Sequence, residues 1–174
     1  LSSVLKVLKK YRITIISSGG TYKTIKKLGY SCTEVSSYTG FEEMLDGRVK
    51  TLHPKIHAGI LHDRSNKKHS AEMNRQKFPS IDLIIVNFYP FQKIVTNSIN
   101  NKKIVENIDI GGPTMVRAAA KNFINVSIIT SKNDYLNLIN EIEKNKGNTT
   151  LHFREYMSSK AFGLTAYYDA MIAN

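Results

Sequence analysis

An α/β layer structure around a mostly parallel sheet is the fold class this sequence predicts, and three observations predict it. Short β-branched apolar runs alternate with amphipathic helical segments along almost the whole chain. The most apolar run, Leu83-Ile84-Ile85-Val86, is continuously hydrophobic rather than alternating, as a strand covered on both faces must be. A chain of 174 residues, 41% hydrophobic and 22% charged, also has the size and composition of one domain with a proper core.

The elements follow in order. Ser3 to Lys10 sets Val4, Leu5, Val7 and Leu8 against lysines, the pattern of an amphipathic helix. Ile13 to Ile16 reads as a first strand. Thr21 to Leu28 reads as a helix stopped by Gly29, and Cys32 to Val35 as a second strand. Residues 36–64 are rich in Gly, Thr and His and are expected to be irregular, yet they are too long to be mere connection. Asp82 to Asn87 gives the strongest buried strand. Pro113 opens a helix reaching Asn122, followed by a strand over Asn125 to Thr130. Leu136, Leu138, Ile139 and Ile142 place a helix over Asp134 to Lys144, and a last helix covers much of residues 149–172. No repeat or low-complexity linker divides the chain, so residues 1–174 are expected to be a single domain.

Composition narrows the function classes. Twenty-five basic residues against fourteen acidic leave a formal charge of +11, which favours anionic partners, although lysine pairs on solvated helices are its simplest origin. There is no aromatic RNA-binding signature and no dense basic arm, so nucleic acid is not the expected partner. No apolar run approaches the roughly 20 residues needed to cross a bilayer, and no secretory segment opens the chain. The single cysteine, Cys32, can form neither an internal disulfide nor a Cys-based zinc site, which makes a reducing cytoplasm the expected location. His53 and His57 are spaced i, i+4, but Pro54 follows the first and no His-Glu-x-x-His or cysteine supports a metal, so none is expected. The nucleophile elbow of serine hydrolases, the P-loop and the dinucleotide fingerprint are all absent from the sequence.

Four runs carry the chemistry. Ser18, Gly19, Gly20 and Thr21 lie between a strand and a helix, where glycine amides, hydroxyls and a helix N-terminus together outline a phosphate cradle. Glycines are common in such turns, so locally the run is equally well a simple connection. Arg48, Val49, Lys50 and Thr51 alternate, and an extended backbone would send both cations to one face with Val49 towards the core. Val86, Asn87 and Tyr89 end the best strand, on the side where open α/β sheets gather ligands, while Phe88 and Phe91 read as packing. Asp109, Ile110, Gly111 and Gly112 precede a helix ending in Lys121. The Asp alone is an ordinary cap, but Gly-Gly frees amides for another acceptor. The Lys alone is ordinary helix-end electrostatics.

The runs Ile-Ser-Ser-Gly-Gly-Thr (16–21), Thr-Gly-Phe-Glu-Glu-Met-Leu-Asp-Gly-Arg-Val-Lys-Thr-Leu-His-Pro-Lys-Ile-His-Ala-Gly-Ile-Leu (39–61), Val-Asn-Phe-Tyr-Pro-Phe (86–91) and Glu-Asn-Ile-Asp-Ile-Gly-Gly-Pro-Thr-Met-Val-Arg-Ala-Ala-Ala-Lys-Asn (106–122) resemble, in order and over nearly the whole chain, the IMP cyclohydrolase domain family of bifunctional purine biosynthesis. The resemblance implies a methylglyoxal-synthase-like three-layer α/β fold and a cytoplasmic homodimer. It implies closure of 5-formamidoimidazole-4-carboxamide ribotide to inosine monophosphate with loss of water and no cofactor. Carried over by motif, Lys121 is the catalytic lysine, with Lys50, Asp109 and Tyr89 as companions. Ser18 to Thr21, Arg48 to Thr51, Val86-Asn87 and Asp109 to Gly112 bind the ribotide. In this reading Lys121 coupled to Asp109 shuttles the proton, Lys50 stabilises the oxyanion and Tyr89 orients the carboxamide. The family's first strand and its Ser-x-x-Asp-Lys-like loop, and its covalently linked formyltransferase domain, are expected to lie outside this chain. A non-catalytic nucleotide-sensing module on the same fold is the alternative. One tension accompanies the assignment: a straight helix puts Lys121 about 12 Å along the axis from Pro113, so the helix must tilt or Lys121 must serve another part of the site.

Overall fold

The computed structural model describes residues 1–88 and 101–173, the side chains of residues 101–103 excepted. Helix α1 (Ser2–Lys10) buries Val4, Leu5, Val7 and Leu8, the apolar face expected of it. Strand β1 (Ile16–Ser17) leads directly into α2 (Gly19–Lys27), and β2 (Thr33–Glu34) into the short α3 (Val35–Thr39), which Glu34 caps by accepting the Ser36 N–H at 2.8 Å. Both strands are shorter than their apolar runs. Ile13 and Ile15 still pack on the core from irregular backbone, so burial there does not require a ladder.

The segment 36–64 is not irregular. It contains a 3-10 turn at Leu45–Gly47 and helix α4 (Pro54–Leu61). His53 caps α4 through Nδ1, which accepts the Lys55 N–H at 3.1 Å, and Pro54 occupies the first helical position. An imidazole is an unusual cap, which is why composition hides this start. Helix α5 (Lys67–Gln76) follows, capped by Asn66. Then come β3 (Leu83–Ile85), α6 (Asn101–Glu106), α7 (Gly111–Lys121) and β4 (Ser127–Ile129). A 3-10 turn, α8 (Tyr135–Lys144) and α9 (Leu151–Ala173) end the described chain.

Both ladders among the described residues are parallel. β1 pairs with β2 in the register Ile16–Thr33, and β3 pairs with β4 in the register Ile84–Ile128. β4 is buried throughout, as its unbroken apolar run demands. One core joins α1, α4, α7, α8 and α9 to these strands. Helix α7 lies at its centre: Val116, Ala119 and Ala120 are fully buried, and the alanines let α9 approach so closely that Ser158 donates to the Ala120 carbonyl at 2.7 Å. At the far end of α7, Asn122 donates to the carbonyls of Ile60 and His62 and so fastens α4 beside it. A rigid α4–α7–α9 layer results, and it positions the site.

Candidate anion-binding site

The cradle is built into the first turn of α2. Ser18 is the N-cap, with extended backbone (φ −133°, ψ 165°) and no side-chain bond to the helix. The two glycines are therefore helical residues, not loop residues as the sequence suggests, and the first-turn amides have no partner within the helix. Gly19 has φ +54°, which an L side chain adopts only under strain, and a Cβ added at Gly20 would meet nothing within 4 Å. Among the described residues this leaves open space at the positive end of a helix whose first-turn amides have no partner within it.

Lys50 reaches this space. Its Nζ lies 3.9 Å from where a Gly19 Cβ would stand and 3.8 Å from the Glu43 carboxylate. The loop that delivers it holds three successive residues, Leu45, Asp46 and Gly47, at positive φ. For the two non-glycines this is stored strain. Glycine is favoured at 47 because φ is +92°, a conformation in which an L side chain is strained; the 2.6 Å approach of a Cβ to Glu43 Oε1 could be relieved by the flexible glutamate. Arg48 departs from the expected extended strand. Its backbone is αR (φ −64°, ψ −31°), so it does not share a face with Lys50 by alternation and instead pairs with Glu106. That contact raises the Arg48 pKa still further. The Ser36 hydroxyl is the main cause that lowers the Glu34 pKa, and Lys50 contributes from across the cradle.

The second and fourth runs meet at Thr51 and Gly111: a Cβ on Gly111 would come within 2.6 Å of Thr51 Oγ1. The Asp109 carboxylate accepts the Gly112 N–H at 2.9 Å, which is the capping role its position allowed, and the carboxylate fills the space a Gly112 side chain would need. The third run joins through an aromatic bridge. Phe88 packs at 5.0 Å from the Tyr168 ring, and the Tyr168 hydroxyl accepts the Asp109 N–H at 2.8 Å. Val86 donates to the Ile129 carbonyl, while Asn87 donates to the Tyr135 hydroxyl at 2.9 Å. Tyr89 and Phe91 lie outside the described residues. Tyr168 and Tyr135 carried no sequence signal, since each meets its partner across about fifty residues of chain.

Lys121 stands apart. It ends α7, about 13 Å along the axis from Gly112, and among the described residues no hydrogen bond or ion pair joins it to Asp109. It lines a pocket of about 540 Å³ between α4, α7 and α9, together with His57, Thr114, Arg117, Phe123 and Phe162. The histidines are dispersed over other tasks: His53 caps α4, and His62 and His69 bond to the Ala58 carbonyl and the Asp63 amide. No group of three or more metal-binding side chains occurs among the described residues.

Parallel strands covered by helices, with a glycine-rich helix start and a lysine beside it, define an α/β domain with a candidate anion site. The chain belongs to the MGS-like domain family, whose model matches residues 1–114, and the model of the AICARFT/IMPCHase bienzyme matches residues 119–174. It is 47% identical over 174 residues to the bifunctional purine biosynthesis protein PurH of Clostridium kluyveri, covering 100% of this chain and 35% of that one. The PurH of Bradyrhizobium diazoefficiens is 46% identical over 169 residues, covering 97% and 32%. The chain thus spans about a third of the length of these curated relatives. Its backbone is similar to the crystal structure of ForH, with a TM-score of 0.88 and 28% identity, covering 99% of this chain and 88% of that one. The expected methylglyoxal-synthase-like fold is borne out, as is the resemblance read from the four runs.

Proposed function

We propose that this domain closes 5-formamidoimidazole-4-carboxamide ribotide to inosine monophosphate and water, with no cofactor. The observation that carries the reading is the convergence of the four runs: Lys50 at Gly19, Thr51 at Gly111, and Phe88 joined to Asp109 through Tyr168. The similarity throughout to proteins named for purine biosynthesis supports it. A homodimer in the cytoplasm, with a covalently linked formyltransferase domain in the longer protein, completes the proposal.

The chemistry asks little of the protein beyond geometry and charge. Both reacting groups sit on one imidazole, so the reaction is already intramolecular and the site has to select the productive rotamer. The carboxamide nitrogen attacks the formyl carbon; a C–N bond forms and the C=O π pair moves onto oxygen. Lys121 gives a proton to that oxygen and takes one from the nitrogen. The C–O bond then breaks, the oxygen leaves as water, and loss of the formamido N–H proton completes the C=N bond. A positioned cation at the developing oxyanion contributes about 3 kcal/mol. With its Nζ 3.9 Å from where a Gly19 Cβ would stand, Lys50 holds the phosphate end with Ser18 to Thr21 in this reading, in place of the oxyanion role the sequence suggested, and Lys121 supplies the cation at the oxyanion. Asp109 acts by fixing the start of α7 rather than by touching Lys121, and Tyr89 orients the carboxamide.

An absorbance assay of cyclisation in metal-free buffer tests the reading. Wild-type turnover is expected, and Lys121→Ala should abolish it while leaving ribotide affinity nearly intact. Tight ribotide binding without wild-type turnover would leave only a nucleotide-sensing module.

A further inference from the structure

Helix α9 bonds to both ends of α7, and the two contacts differ in kind. Its buried residues Ser158, Ala161, Thr165 and Tyr168 recur at intervals of three and four, the face of a helix turned to the core. On that face Ser158 donates to the Ala120 carbonyl near the end of α7. Tyr168, ten residues later, accepts the Asp109 N–H at 2.8 Å just before α7 starts. The two helices therefore run antiparallel, and about 15 Å of α9 spans α7 from one end to the other. The Ser158 bond ties helix to helix. The Tyr168 bond reaches past the helix to a backbone amide in the turn that leads into it.

Packing does not explain that oxygen. Tyr168 is 2% exposed and its ring lies on Phe88, a place phenylalanine would fill equally well. Burial raises the Tyr168 pKa, so the hydroxyl is uncharged at neutral pH. Asp109 stands outside α7, where its N–H has no part in the helical ladder, and the phenol oxygen satisfies it. Asp109 is then held twice, by this bond and by its own carboxylate, which accepts the Gly112 N–H at 2.9 Å. Gly111, between these two anchors, stands against Thr51. Any movement of the Asp109 backbone therefore moves Gly111 relative to Thr51. One side chain of the last helix thus fixes the turn on which the second, third and fourth runs meet.

We propose that Tyr168 is a positioning residue of the ribotide site: its hydroxyl holds the Asp109–Gly112 turn in register with Thr51 and Phe88, and the turn binds the ribotide poorly without it. The proposal rests on the cyclohydrolase reading for the identity of the ligand. Tyr168 acts through Asp109, so its loss is felt at one end of α7. The cradle at Ser18 to Thr21 is built on α2, and Lys121 is carried by the end of α7 that Ser158 holds.

Tyr168→Phe removes one oxygen and keeps the ring on Phe88. By calorimetry it should weaken 5-aminoimidazole-4-carboxamide ribotide about tenfold, the effect of one lost backbone bond, and leave ribose 5-phosphate within twofold. In the cyclisation assay KM for the formylated ribotide should rise by a similar factor, with kcat within threefold. Thr165→Ala is the control for a merely structural effect. Thr165 is 1% exposed on the same face of α9, and its hydroxyl donates to the Phe162 carbonyl of its own helix. That variant should lower Tm at least as far as Tyr168→Phe yet keep ribotide affinity within twofold. Amide exchange gives a readout that needs no variant: the Asp109 N–H should be protected in the wild-type protein, and Tyr168→Phe should speed its exchange at least tenfold. Unchanged ribotide affinity in Tyr168→Phe, an equal loss in Thr165→Ala, or an unprotected Asp109 amide in the wild-type protein overturns the proposal. If the binding pattern holds and the wild-type protein does not cyclise the formylated ribotide, the cyclohydrolase reading fails and the positioning role stands.

Discussion

Gly20→Ala separates a cradle from an ordinary helix start, because the two roles move two measurements in opposite directions. Gly20 is the second residue of α2, and among the described residues outside its own helix backbone a Cβ there meets nothing within 4 Å. Its φ is not in the left-handed region, unlike that of Gly19 at +54°. Alanine at such a site stiffens the unfolded chain at no steric cost, which stabilises by about 0.4–1 kcal/mol. For a chain of 174 residues that is a rise of about 1–4 °C in Tm, read by thermal unfolding without ligand. If the open space is where a phosphate sits against the helix amides, the methyl occupies it. One charge-assisted hydrogen bond is worth about 1.5–3 kcal/mol, so affinity for ribose 5-phosphate by calorimetry should drop about 10- to 100-fold. A variant that gains stability and keeps its affinity shows that the anion lies elsewhere. A variant that loses stability shows that the space is not open.

Two further changes test the loop and the layer. Glu43 is 3.8 Å from Lys50 and competes with any phosphate for it, so Glu43→Gln should tighten ribose 5-phosphate about two- to fivefold at low salt. The gain should shrink as ionic strength rises, and calorimetry at two salt concentrations reads it. Gly59 in α4 faces the backbone of the chain before β3: a Cβ would lie 2.9 Å from the Pro79 carbonyl and 3.1 Å from Ile81, whose N–H is bonded to the Gly59 carbonyl at 3.0 Å. Gly59→Ala should therefore cost about 1–3 kcal/mol and lower Tm by roughly 2–10 °C in thermal unfolding.

What was legible in the sequence was whatever depends on local pattern. The apolar face of α1, the buried runs around Ile84 and Ile128, and the packing role of Phe88 all followed from periodicity or unbroken hydrophobicity. Helix α4 did not, since its cap is a histidine and Gly59 interrupts it. The course of the 45–50 loop was equally hidden. Leu45 and Asp46 at positive φ lie in a tight turn closed by the Met44–Val49 bridge, and that turn takes Arg48 out of the extended conformation its alternation suggested. The four runs could be named but not connected, because their links are long-range and made by residues with no motif, Tyr168 above all. His57 was visible only as half of a metal spacing, whereas its Nε2 is buried without a hydrogen-bond partner among the described residues, which sequence does not encode locally.

The separation of Lys121 from Asp109 follows from helix α7 itself. Its N-terminus packs against Thr51 at Gly111, and the Asp109 carboxylate takes the Gly112 N–H and fills the space a side chain there would need. Its middle must be alanine so that α9 can seal the layer, and Ser158 reads the Ala120 carbonyl at that seam. The first exposed position after this buried stretch is Lys121, next to the Asn122 clamp on α4. A cation placed there is carried by the helix about 15 Å along its axis from Gly111. A long, rigid ligand with charge at one end and a reacting ring at the other matches that spacing, whereas a bare phosphate meets only one end of it. In the proposed reading, selectivity for the ribotide over inorganic phosphate would follow from a ligand long enough to meet both ends of α7.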